Sequence, residues 1–379
     1  MTRILTGADL FDGTTRRPGM ALVIEDNRIT AILPEAEAPD YPVLHLNGGV
    51  LAPGLIDLQV NGGDGILLDG SATAATLARI CAAHARLGAT GILPTLITDT
   101  PQATAAVIKA GIAAAKARVP GFLGLHLEGP HLDPRRHGAH DPALIRPMTD
   151  GDLAALIAAA RALPTLMVTL APASARPGQI AALHAAGAVV SLGHADCTLA
   201  EAAAAQAAGA TSVTHLFNAM SPLGSREPGL VGAALSLPLA CGLIADGVHV
   251  HPETIRLALA AKSAGEVFLV SDAMAVAGTG LTEFQLGDRR ILRRGGRLTL
   301  ADGTLAGADL SLPQAVRFMI KQVGLSPERA LAMASRIPAQ VIGSDRGRIA
   351  PGLPADLVHF NADWQLTRVW QAGAPVQAN

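Results

Sequence analysis

Eight short apolar segments recur through the middle of this chain, and no other feature restricts its fold as strongly. They begin near Leu55, Gly91, Gly121, Thr165, Ala188, Thr211, Ala240 and Glu266. The mean interval is roughly 30 residues, the length of one β–α unit. Alanine-rich stretches of helical character separate them. Eight such units in series predict a closed (β/α)8 TIM barrel rather than an open sheet. In such a barrel the chemically active groups sit at the C-terminal ends of the strands. Four of the segments end on a polar group there. GFLGLHLE ends on Glu128, AVVSLGH on His194, TSVTH on His215 and EVFLVSD on Asp272. Those residues follow the third, fifth, sixth and eighth expected strands, so they predict one site at one mouth of the barrel.

The two ends of the chain follow another pattern. RILTGADLF, ALVIEDNRITAIL and YPVLHL are strand-like runs broken by Asp-Gly, Asp-Asn and Pro signals. The C-terminal GRIAPGLPADLVHFNADWQLTRVWQAG is also strand-rich, with Pro-Gly punctuation. Neither end carries enough apolar pattern for a core of its own. The expectation is a small β-sandwich domain made from residues 1–52 plus 345–379, with the barrel over 53–344. Residues 282–303 alternate and carry Gly-Asp and Gly-Gly turns, which predicts a β-hairpin flap. Helices are expected in SLPQAVRFMIKQV and in SPERALAMASRIPAQVIG, the second with Ser326 as N-cap and Pro327 at the first helical position.

Composition narrows the function classes. A chain of 379 residues buries about three quarters of its unfolded surface, so a large core is available. The formal net charge is −2 and no basic run appears, which argues against nucleic acid as a partner. Cys81, Cys197 and Cys241 are unclustered and odd in number. They suggest no disulfide framework and fit a reducing compartment. The start MTRILTGADLF lacks the apolar core of a signal peptide, and the apolar stretch 154–175 is interrupted by Arg161 and Pro164. No membrane span and a cytoplasmic location are therefore expected.

Two imidazoles and a carboxylate at neighbouring strand ends suit a catalytic divalent metal that keeps an open position. Asp272, a further carboxylate at the same edge, can take a proton from water and return it to a leaving group. Each residue has a plainer alternative. Glu128 could be a salt-bridged rim residue, either histidine a satisfied structural one, and Asp272 a ligand or a structural acceptor. Their joint placement favours the metal. His126 lies two residues before Glu128 and faces the same side, where it is expected to fill the barrel interior. Cys197 has no partner cysteine and receives no role. Arg226, in SPLGSREPGLVG, and His249, in IADGVHVH, are candidates for an anionic group. His140, in RRHGAHDP, is a candidate on a mobile loop.

At these residues the chain resembles the N-acetylglucosamine-6-phosphate deacetylases of the amidohydrolase superfamily. The resemblance runs nearly end to end, through PGLIDLQVNG, LPTLIT, LHLEGPH, SLGHADCT, THLFNAM, REPGLVG, IADGVHVH, VSDAMAVAG and GTLAG. Many amidohydrolases carry His-x-His at the end of the first strand for a second metal. Here that place holds Gln59-Val60-Asn61, so the likeness is to the single-metal branch. It implies one divalent ion per subunit on Glu128, His194 and His215, with Asp272 as acid and base. Two histidines and a glutamate suit zinc, with iron, cobalt or manganese as alternatives.

The resemblance also implies substrate contacts. Ala139 and His140 match a substrate-binding pair, with His140 helping to stabilise the oxyanion; relatives often have Thr before that His and Asn after it, where this chain has Ala139 and Asp141. Asn218 and Ala219 match sugar-phosphate contacts. Arg226 and His249 match phosphate-site groups, which in relatives include contributions from a neighbouring subunit, so a homodimer is expected. Leu305, Ala306 and Gly307 match a backbone segment closing over the sugar. The implied partner is a small amino-sugar phosphate. The implied reaction is hydrolysis of N-acetylglucosamine 6-phosphate to glucosamine 6-phosphate and acetate, in amino-sugar catabolism. The alternatives are an N-acetylgalactosamine-6-phosphate deacetylase, an aminoacylase, a cyclic-amide hydrolase and, more remotely, a non-catalytic sugar-phosphate sensor.

Overall fold

The computed structural model describes residues 2–377. Eight parallel strands form its central sheet: β1 (Leu55–Val60), β2 (Ala89–Ile97), β3 (Leu125–Glu128), β4 (Leu166–Leu170), β5 (Val189–Leu192), β6 (Ala210–Val213), β7 (Ala240–Leu243) and β8 (Val267–Leu269). They pair in sequence order. The chain beyond β8 returns to β1, where Ala273 bridges Val60 in parallel. Asp272 N donates to Gln59 O (3.0 Å) and Asn61 N to Ala273 O (2.8 Å). The sheet is therefore closed into a barrel, as the spacing of the apolar segments predicts.

The strands start within a few residues of the expected positions, with the largest displacement at β3. It begins at Leu125 rather than Gly121. Gly124 explains this, because its φ is +142° and a Cβ there would lie 2.0 Å from the Thr165 carbonyl oxygen. Only glycine passes that close to the neighbouring chain, and the regular strand starts after it.

The connecting helices are α1 (Ala74–Arg86), α2 (Pro101–Lys116), α3 (Asp150–Ala162), α4 (Pro177–Ala185), α5 (Leu199–Ala207), α6 (Gly229–Ser236), α7 (Pro252–Ala261) and α8 (Leu312–Phe318). Several start at a threonine that satisfies the first free N–H groups, as Thr73, Thr149 and Thr198 do through capping boxes. Their inner faces are rich in small residues, such as Ala202 and Ala205 of α5. This composition sets α-helix against sheet at short range, with little aromatic filler. The stretch expected as one helix from Ser326 is two, α9 (Pro327–Ala334) and α10 (Arg336–Val341). Pro338 has no N–H for the Ala334 carbonyl, so one continuous helix cannot form. The break falls at Ser335, whose hydroxyl donates to Leu331 O (2.7 Å).

Both termini contribute to a β structure beside the barrel. A six-stranded sheet runs in the order 374–375, 366–371, 357–360, 50–53, 9–11 and 16–17. Leu357–Phe360 lies antiparallel to Val50–Pro53, with Val358 opposite Ala52. A four-stranded sheet of residues 28–34, 20–25, 2–6 and 43–45 accompanies it. Leu10, Leu51, Leu357 and Trp370 of the first sheet share a core with Leu5, Leu22, Ile24 and Ile29 of the second. The two runs of strands thus bury each other's apolar faces.

The alternating segment after β8 is a four-stranded antiparallel sheet of Glu283–Leu286, Arg289–Arg294, Arg297–Thr299 and Leu305–Ala308. The expected hairpin is its first part; the sheet continues through Ala308. Phe284 and Leu286 point inward while Glu283 and Gln285 face out, the period of two expected of a one-sided sheet. This flap packs on Met274 and Val276 of the post-β8 loop. Arg289 Nη2 donates to Ala139 O (2.7 Å), tying the flap to the loop that carries His140. No helix among the described residues is long and apolar enough to cross a membrane.

Candidate active site

Glu128 is the last residue of β3, and a cis Gly129–Pro130 bond follows it. His194, His215 and Asp272 each lie two or three residues past the ends of β5, β6 and β8. All three have left-handed backbones, with φ of 46°, 30° and 50°. Non-glycine residues enter that region at a cost of about 1–3 kcal/mol, and such outliers gather at functional sites. Here the sharp turn swings each side chain inward from the strand end instead of letting it follow the loop.

The result is a tight buried group. Glu128 Oε1 lies 2.9 Å from His215 Nε2 and 3.2 Å from His194 Nε2, and the two Nε2 atoms are 3.0 Å apart. Three ligands held by one tetrahedral ion at about 2.0–2.1 Å lie roughly 3.3–3.4 Å from each other. The donor set and its spacing fit a single divalent metal ion, and these three residues form such a group. His194 Nδ1 is 2.8 Å from Arg136 O. A carbonyl only accepts, so Nδ1 carries the proton and Nε2 turns its lone pair to the centre. His215 Nδ1 is buried with no hydrogen-bond partner among the described residues.

Burial alone would raise the Glu128 pKa, but the adjacent His194 and His215 imidazoles outweigh it and hold the carboxylate well below its usual range. Burial pushes His215 down, and Glu128 more than reverses that. An ionised carboxylate is thus retained in a dry pocket, where an unpaired charge would be expensive.

Two amides complete the floor. Gln59 Nε2 donates to Glu128 Oε1 (3.1 Å) and Asn61 Nδ2 donates to Asp272 Oδ1 (2.6 Å). An amide nitrogen has no lone pair for a metal, so neither side chain presents the nitrogen ligand that an imidazole would. Burial first and the Glu128 charge second raise the Asp272 pKa to about 6, against the His215 and His249 charges and the Asn61 hydrogen bond. A carboxyl poised near neutrality is suited to accepting and returning a proton.

A cavity of about 390 Å³ opens above this floor, within the range of small-ligand sites. Ala139 and His140 wall one side, Asn218 and Ala219 follow β6, and His249 follows β7. Leu305, Ala306 and Gly307 of the flap cover another side. Burial, and then the neighbouring His194, hold the His140 pKa well below the usual value, which keeps the ring neutral. Asp246 Oδ2 lies 2.7 Å from His249 Nδ1 and orients that ring.

Arg226 is the exception among the candidates. It is exposed and not among the residues lining this cavity, so its own chain does not bring it to the site. His126 fills the barrel interior: its Nδ1 donates to Leu58 O (3.0 Å) and its Nε2 accepts from Thr169 Oγ1 (2.7 Å). All three cysteines are free and buried.

Several site residues carry no signal that sequence reasoning used. Arg135 and Arg136 stand at the cavity wall, paired with Asp133 (2.6 Å) and Asp196 (2.9 Å). Two adjacent loop arginines are ordinarily solvated, so the pair gave no signal. Asp57 is 1% exposed and accepts from the backbone N–H groups of Gln59 and Ser271. Burial raises its pKa to about 7, against hydrogen bonds from Ser271. Thr98, one residue past β2, contacts His140; a threonine at a strand end is too common to single out.

Comparisons with known proteins agree with this geometry. The amidohydrolase family matches residues 50–375. An N-acetylgalactosamine-6-phosphate deacetylase of Shewanella sp. (strain ANA-3) is 41% identical over 336 residues, covering 88% of this chain and 85% of that protein. An N-acetylglucosamine-6-phosphate deacetylase of Haemophilus influenzae is 32% identical over 361 residues, covering 91% and 92%. The crystal structure of N-acetylglucosamine-6-phosphate deacetylase from Pasteurella multocida superposes with a TM-score of 0.95 at 31% identity, covering 100% of both chains.

Proposed function

The chain belongs to the amidohydrolase family, and on that premise we propose that it hydrolyses the N-acetyl group of N-acetylglucosamine 6-phosphate, releasing acetate and glucosamine 6-phosphate. One observation carries the reading: Glu128 Oε1, His194 Nε2 and His215 Nε2 converge within 4.8 Å of one another, on the floor of a cavity that Asp272 and His140 also line.

A divalent ion held by Glu128, His194 and His215 would lower the pKa of a bound water and polarise the acetamide carbonyl. Zinc is the ion proposed, because two imidazoles and one carboxylate are among its usual catalytic donor sets. A single ion is proposed because Gln59 and Asn61 use their amide hydrogens on Glu128 and Asp272. Asp272 accepts the proton of the attacking water. It then protonates the amine, which leaves poorly as an anion. His140, kept neutral, donates a hydrogen bond to the acetamide oxygen as charge grows there. His249 contacts the phosphate, and this remote binding helps to orient the acetamide. The exposed position of Arg226 supports a homodimer in which this arginine reaches the phosphate of the neighbouring subunit's substrate. The free cysteines support a reducing, cytoplasmic setting.

A second reading, N-acetylgalactosamine 6-phosphate as the preferred substrate, is favoured by the 41% identical relative of that name. Acetate release from both epimers, with metal analysis of the same sample, tests the two together. Faster turnover of the gluco epimer supports the first reading and faster turnover of the galacto epimer the second. Absence of metal-dependent acetate release from either would overturn both.

A further inference from the structure

We propose that Thr98 is a positioning residue for this reaction, holding His140 in the tautomer whose Nε2 carries the hydrogen and points it at the scissile acetamide. The inference rests on the reading of the site given above and adds to it the device that makes His140 a donor.

Two groups of Thr98 meet the same ring nitrogen. The backbone N–H of Thr98 donates to His140 Nδ1 at 3.2 Å, and Thr98 Oγ1 lies 2.8 Å from that atom. A backbone N–H can only donate, so Nδ1 must be the acceptor. The hydroxyl can donate or accept, and beside an unprotonated Nδ1 it donates. A neutral imidazole has one N–H, which is then forced onto Nε2. Turning the ring over does not relieve the constraint, because it would place a ring C–H against the Thr98 N–H and leave that buried donor without a partner.

The surroundings hold Thr98 in this place. It follows β2 directly, the strand that supplies no residue to the metal group. Gly129, next to Glu128, has φ +93°, and a Cβ there would lie 2.2 Å from Thr98 Oγ1. The glycine after the glutamate therefore leaves room for the hydroxyl as well as turning the chain. His140 is 4% exposed, its ring centroid is 4.3 Å from that of His194, and its side chain lines the cavity. The hydrogen on Nε2 is thereby held beside the metal-ligand group, where a carbonyl oxygen under attack would need a donor.

The test uses full-length, metal-loaded protein with 15N-labelled histidine rings. The His140 signals are assigned by their loss in His140→Gln. Two-bond 15N–1H correlations should show an unprotonated Nδ1 and a protonated Nε2, and a protonated Nδ1 in the wild type would overturn the proposal. Thr98→Val removes the hydroxyl donor and should lower kcat roughly tenfold, the loss of about one hydrogen bond, with KM and metal content unchanged. Thr98→Ser should restore kcat. In a His140→Gln background, where no tautomer exists, Thr98→Val should cause no further loss. An unchanged kcat in Thr98→Val, or an equal loss in both backgrounds, would also overturn the proposal. If neither sugar phosphate is hydrolysed while the rings show the Nε2–H form, the substrate reading falls and the positioning role of Thr98 is supported. If Thr98→Val does not fold, the wild-type spectrum decides.

Discussion

Asn61 should set the pH at which the enzyme becomes active. Its Nδ2 donates to Asp272 Oδ1 at 2.6 Å in a buried setting, and this bond favours the ionised carboxylate that the proposed reaction would use as a base. Burial and the Glu128 charge raise the Asp272 pKa to about 6, and below its pKa the acid form, which cannot accept a water proton, predominates. In the wild type, kcat/KM should rise through about pH 6 and be roughly tenfold lower at about pH 5 than on the plateau. Asn61→Ala removes a hydrogen bond to a charged group, worth about 1.5–3 kcal/mol. Since one pKa unit is about 1.4 kcal/mol, the acidic limb should move upward by about one to two units. The sign is definite, because losing a partner of the charged form can only raise a carboxyl pKa. Acetate release measured from about pH 5 to about pH 9 on metal-saturated wild type and variant reads the shift directly. An acidic limb that stays in place, or moves to lower pH, would refute the assignment of Asp272 as the base that Asn61 tunes.

Other substitutions separate the parts of the site. Glu128→Gln should lower metal occupancy by an order of magnitude or more, because an amide is a poor ligand and would abut two imidazole lone pairs; full occupancy by elemental analysis would count against ligation. Burial raises the Asp57 pKa from the ordinary aspartate range to about 7, so the folded state binds its proton more tightly than the unfolded state does. Its contribution to stability is therefore lost as pH rises from about 4 to about 7, by at most about 4 kcal/mol. Asp57→Asn should flatten that part of the stability–pH curve in denaturant titrations, and a curve parallel to wild type would contradict the buried, proton-retaining acid. Arg226→Ala should reduce kcat/KM for the phosphorylated sugar by tenfold or more and leave the unphosphorylated sugar unaffected. Equal losses on both would remove the phosphate role.

Much of the architecture was legible because a barrel strand has a length, an apolar run and a polar end. The recurring segments located β1 to β8, and Ser326 with Pro327 marked the start of α9. Places where a local pattern misled have local causes. Gly124 delays β3 by its approach to the Thr165 carbonyl, and Pro338 splits a stretch whose apolar periodicity continues through it. The flap was foreseen as a hairpin because its first turn is explicit, whereas its last strand, Leu305–Ala308, looks like loop until it pairs with Arg297–Thr299. The candidate residues differ in the same way. Glu128, His194, His215 and Asp272 announce themselves as polar groups closing apolar runs. Thr98 and Asp57 do not, since a threonine after a strand and an aspartate within one acquire meaning only from what packs against them.

Taken alone, the order of residues determined which side chains stand at the strand ends, because periodicity and strand length are local properties written in the chain. It also determined that Gln59 and Asn61, not imidazoles, stand at the end of the first strand. Only closure of the barrel decided that Glu128 Oε1 meets two Nε2 atoms at about 3 Å, that Asn61 reaches Asp272, 211 positions away, and that Arg226 lies outside its own chain's cavity. Those outcomes depend on strand register, left-handed backbone turns and the approach of distant segments. No stretch of sequence contains them, because each is a distance between residues that only the folded chain brings together.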